Sequence, residues 1–191
     1  MKQAILLISL MLINSRDASS QPAYHKHSSG ISIGYGFINV WKTFLDKIVD
    51  IPTYKVKATG PLTLIYEYGI TNRFSAGISA GYSRVRGRAE KYQLYDQITF
   101  WSVLARANYH LWTGRKLDPY FGGGIGVSNS KYKNLDPHTI ISQELNKNVP
   151  GNVDFSGQFG LTYMLCRRLG CYAEIGYVHG ALLHVGAITR F

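Results

Sequence analysis

The chain has 191 residues, of which 46% are hydrophobic and 13% aromatic, with 20 Gly, 14 Tyr and 2 Cys. So much aromatic side chain excludes a disordered polypeptide, and the length suits one domain with a short leader. The formal net charge is +10, but Lys and Arg stand mainly between the apolar segments. Cationic loops beside an anionic membrane surface explain that charge more simply than nucleic acid, which an exported chain rarely meets.

Met1–Ser20 reads as a signal peptide. Lys2 gives a positive start, Ala4–Ile13 is an apolar run, and Ala18 and Ser20 frame a small-residue exit with cleavage before Gln21. The run is too short to cross a bilayer as a helix, and no later stretch approaches eighteen apolar residues. The mature part, Gln21–Phe191, is expected to be one domain. His25 and His27 are spaced as two metal ligands could be, but two histidines on a polar lead-in fit a solvated terminus better, and no metal or cofactor is expected.

From Gly30 onward the pattern has period two, the signature of β-strands. Strand one is expected over Gly30–Val40, with Ile31, Ile33, Tyr35 and Phe37 on one face and Ser32, Gly34 and Gly36 on the other. In the connection Trp41–Gly60, the spacing of Trp41, Phe44, Leu45 and Ile48 allows an amphipathic turn over a rim or a continuation of strand one. Strand two (Leu62–Ile70) and strand three (Arg73–Val85) flank a tight turn at Thr71–Asn72. From Ser75 to Ser83 one face of strand three is entirely Gly and Ser. Arg86–Gln97 reads as a polar loop. Strand four (Thr99–Trp112) sets Arg106, Asn108 and His110 on one face, which a soluble sheet would not bury in a row without partners. After a turn at Thr113–Pro119 comes strand five, Tyr120–Lys131. Its GGGIG matches a phosphate loop only in letters, since no helix with GKS or GKT follows. Tyr132–Asn152 is a second long polar connection. Strand six is Val153–Leu165, and the last two strands fill Cys171–Phe191, joined by His179–Ala181.

Eight alternating strands, each with one apolar face and one face of Gly, small residues and isolated charges, predict an all-β fold. It is an eight-stranded antiparallel up-and-down transmembrane barrel with the apolar face toward lipid. Short turns after strands two, four and six, and longer connections after one, three and five, give the two ends their expected asymmetry. The outward aromatics sort into two belts: Tyr68, Phe74, Tyr109, Phe121, Tyr163 and Phe191 near the short turns, and Tyr82, Trp101, Phe155 and Tyr177 near the longer loops.

The leader, PLTLIYEYGITNRFSAGISAGY, PYFGGGIGV, YAEIGY and the terminal Phe191 together resemble the small eight-stranded outer-membrane β-barrel proteins, the porin-like family that includes OmpX- and OmpA-type domains. The resemblance covers nearly all of the mature chain. It implies location in the outer membrane of a Gram-negative bacterium, with membrane lipid and lipopolysaccharide as neighbours. It also implies that Phe191 is part of the signal read by the barrel-assembly machinery. With nothing after Phe191, no peptidoglycan-binding domain is expected. A monomer is expected.

Glu67, Arg106 and Glu174 face inward, with Arg73, His110 and Arg190 nearer the short-turn end. A barrel this narrow is filled by side chains, so the interior charge cluster Glu67, Arg106, Glu174 and Arg190 should pair, with Arg106 touching Glu67 or Glu174. The function expected is structural or adhesive, with cationic loops presented to lipopolysaccharide phosphates or a surface ligand the sequence does not name. The alternatives are a narrow porin-like conduit, a secreted lipocalin-like barrel with its apolar face inside, and a lipid-modifying enzyme. The last needs Ser, His and an acid together, and no Ser is near His179 in sequence. Cys166 and Cys171 bracket a hairpin. Export permits a disulfide, but the register, with Cys166 inward and Cys171 outward, opposes one unless a bulge intervenes.

Overall fold

In the computed structural model, which describes residues 25–48, 55–89, 94–112, 116–134 and 152–191, the alternating segments pair in sequence order and close on themselves. The strands are β1 (Ser29–Asn39), β2 (Lys55–Gly69), β3 (Phe74–Ala89), β4 (Leu94–His110), β5 (Leu117–Asn134), β6 (Asn152–Met164), β7 (Leu169–Val178) and β8 (Ala181–Arg190), with one helix, α1 (Val40–Ile48), after β1. All neighbours are antiparallel, and β1 closes the barrel against β8 with Gly34 opposite Gly186. Phe191 extends that seam: its N–H donates to Ser29 O at 2.9 Å, and Ser29 N–H donates to Phe191 O at 2.8 Å. The leader, the β5–β6 connection and the tip of the β3–β4 hairpin lie outside the described residues.

The pleat sends alternate side chains to opposite faces, and here the apolar set faces out. Ile33 and Ile175 are each 63% exposed, whereas Thr63, Ser75, Ser102 and Asn108 are buried. In water this would be inside-out; against lipid it is the arrangement that satisfies every strand. A lipocalin-type barrel, with the apolar face inside, is thereby set aside. The inner glycines make room for large neighbours. A Cβ on Gly34 or Gly186 would strike the Tyr172 ring, one on Gly160 would strike Tyr120, and one on Gly81 would strike His179.

Of the boundaries that differ from the sequence reading, three share one reason. β2 begins at Lys55 instead of Leu62, β3 runs on to Ala89, and β4 starts at Leu94. Arg86–Gln97 is therefore largely a paired hairpin, with Arg86 opposite Gln97 and Arg88 opposite Tyr95. Period two continues there, but the apolar and polar faces exchange places. Arg84, Arg86 and Arg88 follow the outward side, while Val85, only 1% exposed, points in. In β2 a register shift between Thr59 and Leu62 lets Lys55 and Lys57 share that outward side.

The connection after β1 takes the helical of its two readings, and β1 ends at Asn39 rather than Val40. Asn39 caps α1, its Oδ1 accepting from Lys42 N–H at 3.2 Å, and its amide donates to Gly60 O at 3.0 Å and Ser83 Oγ at 2.7 Å. Trp41 then lies over Phe100, ring centroids 5.4 Å apart. Trp41, Val56, Ala58 and Tyr132 pack against Val85 and Ile98, forming a small apolar core above the loop-side aromatic belt.

Candidate functional site

The register decides which inner side chains meet. Arg106 on β4 stands opposite Gly77 and Gly124, so nothing bulky lies beside it in the wall and its side chain reaches across the lumen. Its Nη2 donates to Glu174 Oε1 of β7 at 2.5 Å, and its Nε lies 3.2 Å from Glu67 Oε1 of β2. Tyr120 Oη donates to the same Glu174 oxygen at 2.8 Å. Asn108 donates to Glu67, and Gln158 donates to Asn108 Oδ1 at 2.9 Å. Arg106 is 4% exposed and Glu174 2%. A planar guanidinium can serve two carboxylates at once, as a Lys ammonium cannot do with the same geometry.

Arg190 does not join that cluster. It belongs to a second layer at the short-turn end, where its Nη2 donates to Asp118 Oδ2 at 2.8 Å. Asp118 Oδ1 is 2.7 Å from His110 Nδ1, and His110 Nε2 is 3.1 Å from Ser75 Oγ. The sequence reading placed Asp118 in a turn and so missed it. β5 in fact starts at Leu117; Asp118, Tyr120 and Gly122 already alternate inward, which is the signal that could have found it.

His179 is a second correction. Placed by the sequence reading in the connection between the last two strands, it is fully buried, with Nδ1 2.5 Å from Ser102 Oγ. The two are 77 residues apart, so spacing could not show their contact. This is not the arrangement of an activated nucleophile, in which the acid orients the imidazole and the hydroxyl is open to substrate. Here no acid orients the imidazole, since His179 Nε2 has no hydrogen-bond partner among the described residues, and Ser102 is 1% exposed.

The loop-side projection has the opposite character. Lys55 and Lys57 of β2, Arg84, Arg86 and Arg88 of β3, and Lys131 and Lys133 of β5 all lie on the outer side of one continuous sheet. Between them on β4 stand Thr99 and Gln97. Arg86 Nε donates to Gln97 Oε1 at 3.2 Å, and Gln97 Nε2 donates to Thr99 Oγ1 at 3.3 Å. Among the described residues no carboxylate shares this outer face; Asp96 is buried on the inner side, where it accepts from the Tyr132 hydroxyl. Burial, then that hydrogen bond and the charge of Asp96, push the Tyr132 phenol well above its ordinary range.

A lumen crossed by ion pairs and a wall apolar outside are the marks of a membrane barrel, and comparison with known proteins agrees. The family described as outer membrane protein beta-barrel domain matches residues 5–188. The chain belongs to that family. It is a bacterial outer-membrane β-barrel. The NMR structure of outer membrane protein AlkL is similar at TM-score 0.51 and 13% identity, covering 91% of this chain and 94% of that one. Outer membrane protein W of E. coli is similar at TM-score 0.50 and 13% identity, covering 87% and 99%. The attachment invasion locus protein Ail of Yersinia pestis gives TM-score 0.49 and 17% identity, covering 87% and 99%. Identities this low speak for the fold alone. No curated protein matches by sequence.

Within this outer-membrane barrel the other singled-out residues stand apart. Cys166 and Cys171 are both free thiols: Cys166 sits in the β6–β7 turn, its N–H donating to Leu169 O at 3.1 Å, and Cys171 faces outward opposite Tyr163. His27 Nδ1 is 2.7 Å from Tyr68 Oη, whereas His25 Nδ1 is 2.9 Å from Lys26 O, so the two imidazoles have separate partners. Among the described residues no group of three or more His, Cys, Asp and Glu is placed to hold a metal.

Proposed function

We propose that this barrel is a closed surface-binding scaffold, structural or adhesive, that holds a cationic wall at the outer face of the membrane and binds an anionic partner there. The observation carrying the reading is the projecting part of β2–β5. Seven cations line its outer side, and the apolar core of Val85, Ile98 and Trp41 stiffens it from within. Against a conduit stands the lumen, where Arg106 bridges Glu67 and Glu174. Export by a cleaved leader and recognition of Phe191 by the assembly machinery complete the proposal, and a monomer suffices for it.

The test is retention of the detergent-folded protein on a sulfated polysaccharide column at low salt. Lys57→Gln, Arg86→Gln and Lys133→Gln together should abolish retention while the heat-dependent electrophoretic shift of a folded barrel persists. Equal retention of the variant would overturn the reading. In planar bilayers the folded protein should show no unit conductance; steady ion conductance would favour the conduit instead.

A further inference from the structure

The polar chain inside the barrel has two open ends. Gln158 donates to Asn108, Asn108 donates to Glu67, and Arg106 joins Glu67 to Glu174 Oε1. The chain thus starts on β6 and finishes on the neighbouring β7. Its terminal oxygens, Gln158 Oε1 and Glu174 Oε2, have no hydrogen-bond partner among the described residues. On β8, His184 stands directly opposite Glu174, and its Nδ1 is likewise unpartnered. Gln158, Glu174 and His184 are 6%, 2% and 1% exposed, so bulk water does not serve these atoms.

All three atoms are acceptors. A carboxylate only accepts, so Asn108 turns its amide nitrogen to Glu67 and its oxygen to Gln158. Gln158 must then donate to Asn108 through its nitrogen, which leaves Oε1 at the open end. His184 Nε2 lies 2.9 Å from Val178 O. A carbonyl also only accepts, so the ring hydrogen is on Nε2 and Nδ1 is a bare lone pair. Opposed residues on neighbouring strands have Cβ atoms about 5 Å apart, and diagonal ones remain within reach of long side chains. Glu174 and His184 are opposed; Gln158 is diagonal to Glu174, two residues from Gly160. Charge points the same way. Glu67 and Glu174 bring two negative charges and Arg106 one positive, so the cluster is one positive charge short of neutral. A buried charge left uncompensated is costly.

We infer that the lumen binds one small monovalent cation, of sodium or ammonium size, between Gln158 Oε1, Glu174 Oε2 and His184 Nδ1. The ion neutralises the cluster and ties β6, β7 and β8 to the Arg106 bridge. A water molecule would leave the charge in place and bring two donors to three acceptors. A divalent metal would draw on more anionic ligands than one carboxylate.

The test is urea unfolding of the full-length protein in uncharged detergent micelles, with sodium, ammonium or choline chloride at one concentration. Choline carries the same charge but is too large for the site. Sodium or ammonium at ten times its dissociation constant should raise the folded-to-unfolded ratio about tenfold over choline. Gln158→Lys carries its own ammonium to Glu174; it should be as stable in choline as the wild type is in sodium, and should no longer distinguish the salts. Gln158→Leu, which removes one oxygen and adds no charge, should shrink the salt difference while keeping the heat-dependent shift. Isotope-labelled ammonium should give a bound NMR signal with cross-relaxation to the His184 ring in the wild type and none in Gln158→Lys. Equal stability of the wild type in all three salts, with no bound signal, would assign the site to water or to a second proton on His184 and overturn the inference. A salt difference undiminished in both variants would place the ion effect on the outer surface and overturn it as well.

Discussion

Two halves of the same four strands obey opposite rules. Below the Tyr82–Trp101 belt, β2–β5 put Leu64, Ile78, Ala105 and Ile125 outside and Glu67, Ser79, Arg106 and Asn108 inside. Above it, Lys57, Arg86 and Lys133 are outside, and Val85, Ile98 and Val56 inside. Backbone, register and pairing continue without a break through β3 and β4. What changes is the solvent. A strand segment against hydrocarbon must turn its apolar side outward, while one in water must turn it inward.

The largest expected effect breaks the lower half from within. Arg106→Met leaves Glu174 and Glu67 facing each other without a cation, at a cost of about 3–5 kcal/mol for a buried pair so broken. Urea unfolding in detergent micelles should show it, and Glu174→Gln in the same background should recover part of the loss. Next comes a direct comparison on one strand and one face. Ala105→Arg places a cation at mid-membrane and should cost about 2–4 kcal/mol, whereas Thr99→Arg, six residues higher, should cost about 0–1 kcal/mol. Equal costs would mean that the two positions share one environment.

In the upper half Ile98→Ala should cost about 2 kcal/mol or more through the cavity left against Val85 and Tyr132. The loss should appear as protease sensitivity of the projection, with the membrane barrel still resistant to cold detergent. The smallest effect is that of alkali. The Tyr132 phenol is raised above its unfolded value, so the stability from its bond to Asp96 is complete below about pH 10 and is lost as pH climbs through the higher folded value. Tyr132→Phe should flatten that alkaline dependence when stability is followed from pH 9 to 12.

The lower half was legible because its alternation is long and regular: PLTLIYEYG and FSAGISAGYS allow one register only, and a one-residue slip would drive charges into lipid. The upper half was misread at Arg86–Gln97 because a run of cations looks like a loop, although Arg84-Val85-Arg86-Gly87-Arg88 still alternates. Interior partners were legible only by face. That Glu67, Arg106 and Glu174 share the lumen follows from parity, but that Arg190 turns to Asp118, or that His179 meets Ser102, depends on stagger around the closed barrel, which no single strand encodes.

Spin labels placed one at a time along β3 from Ala76 to Arg88, in a Cys166→Ser, Cys171→Ser background in bilayers, test the exchange of environments most directly. Collision with oxygen should dominate at 76, 78 and 80, and collision with a water-soluble nickel complex at 84, 86 and 88. The odd positions should be shielded from both, with the switch falling at Tyr82. Loss of the two-residue period above 82, or water access at 76 to 80, would contradict a single continuous strand that passes from lipid into water.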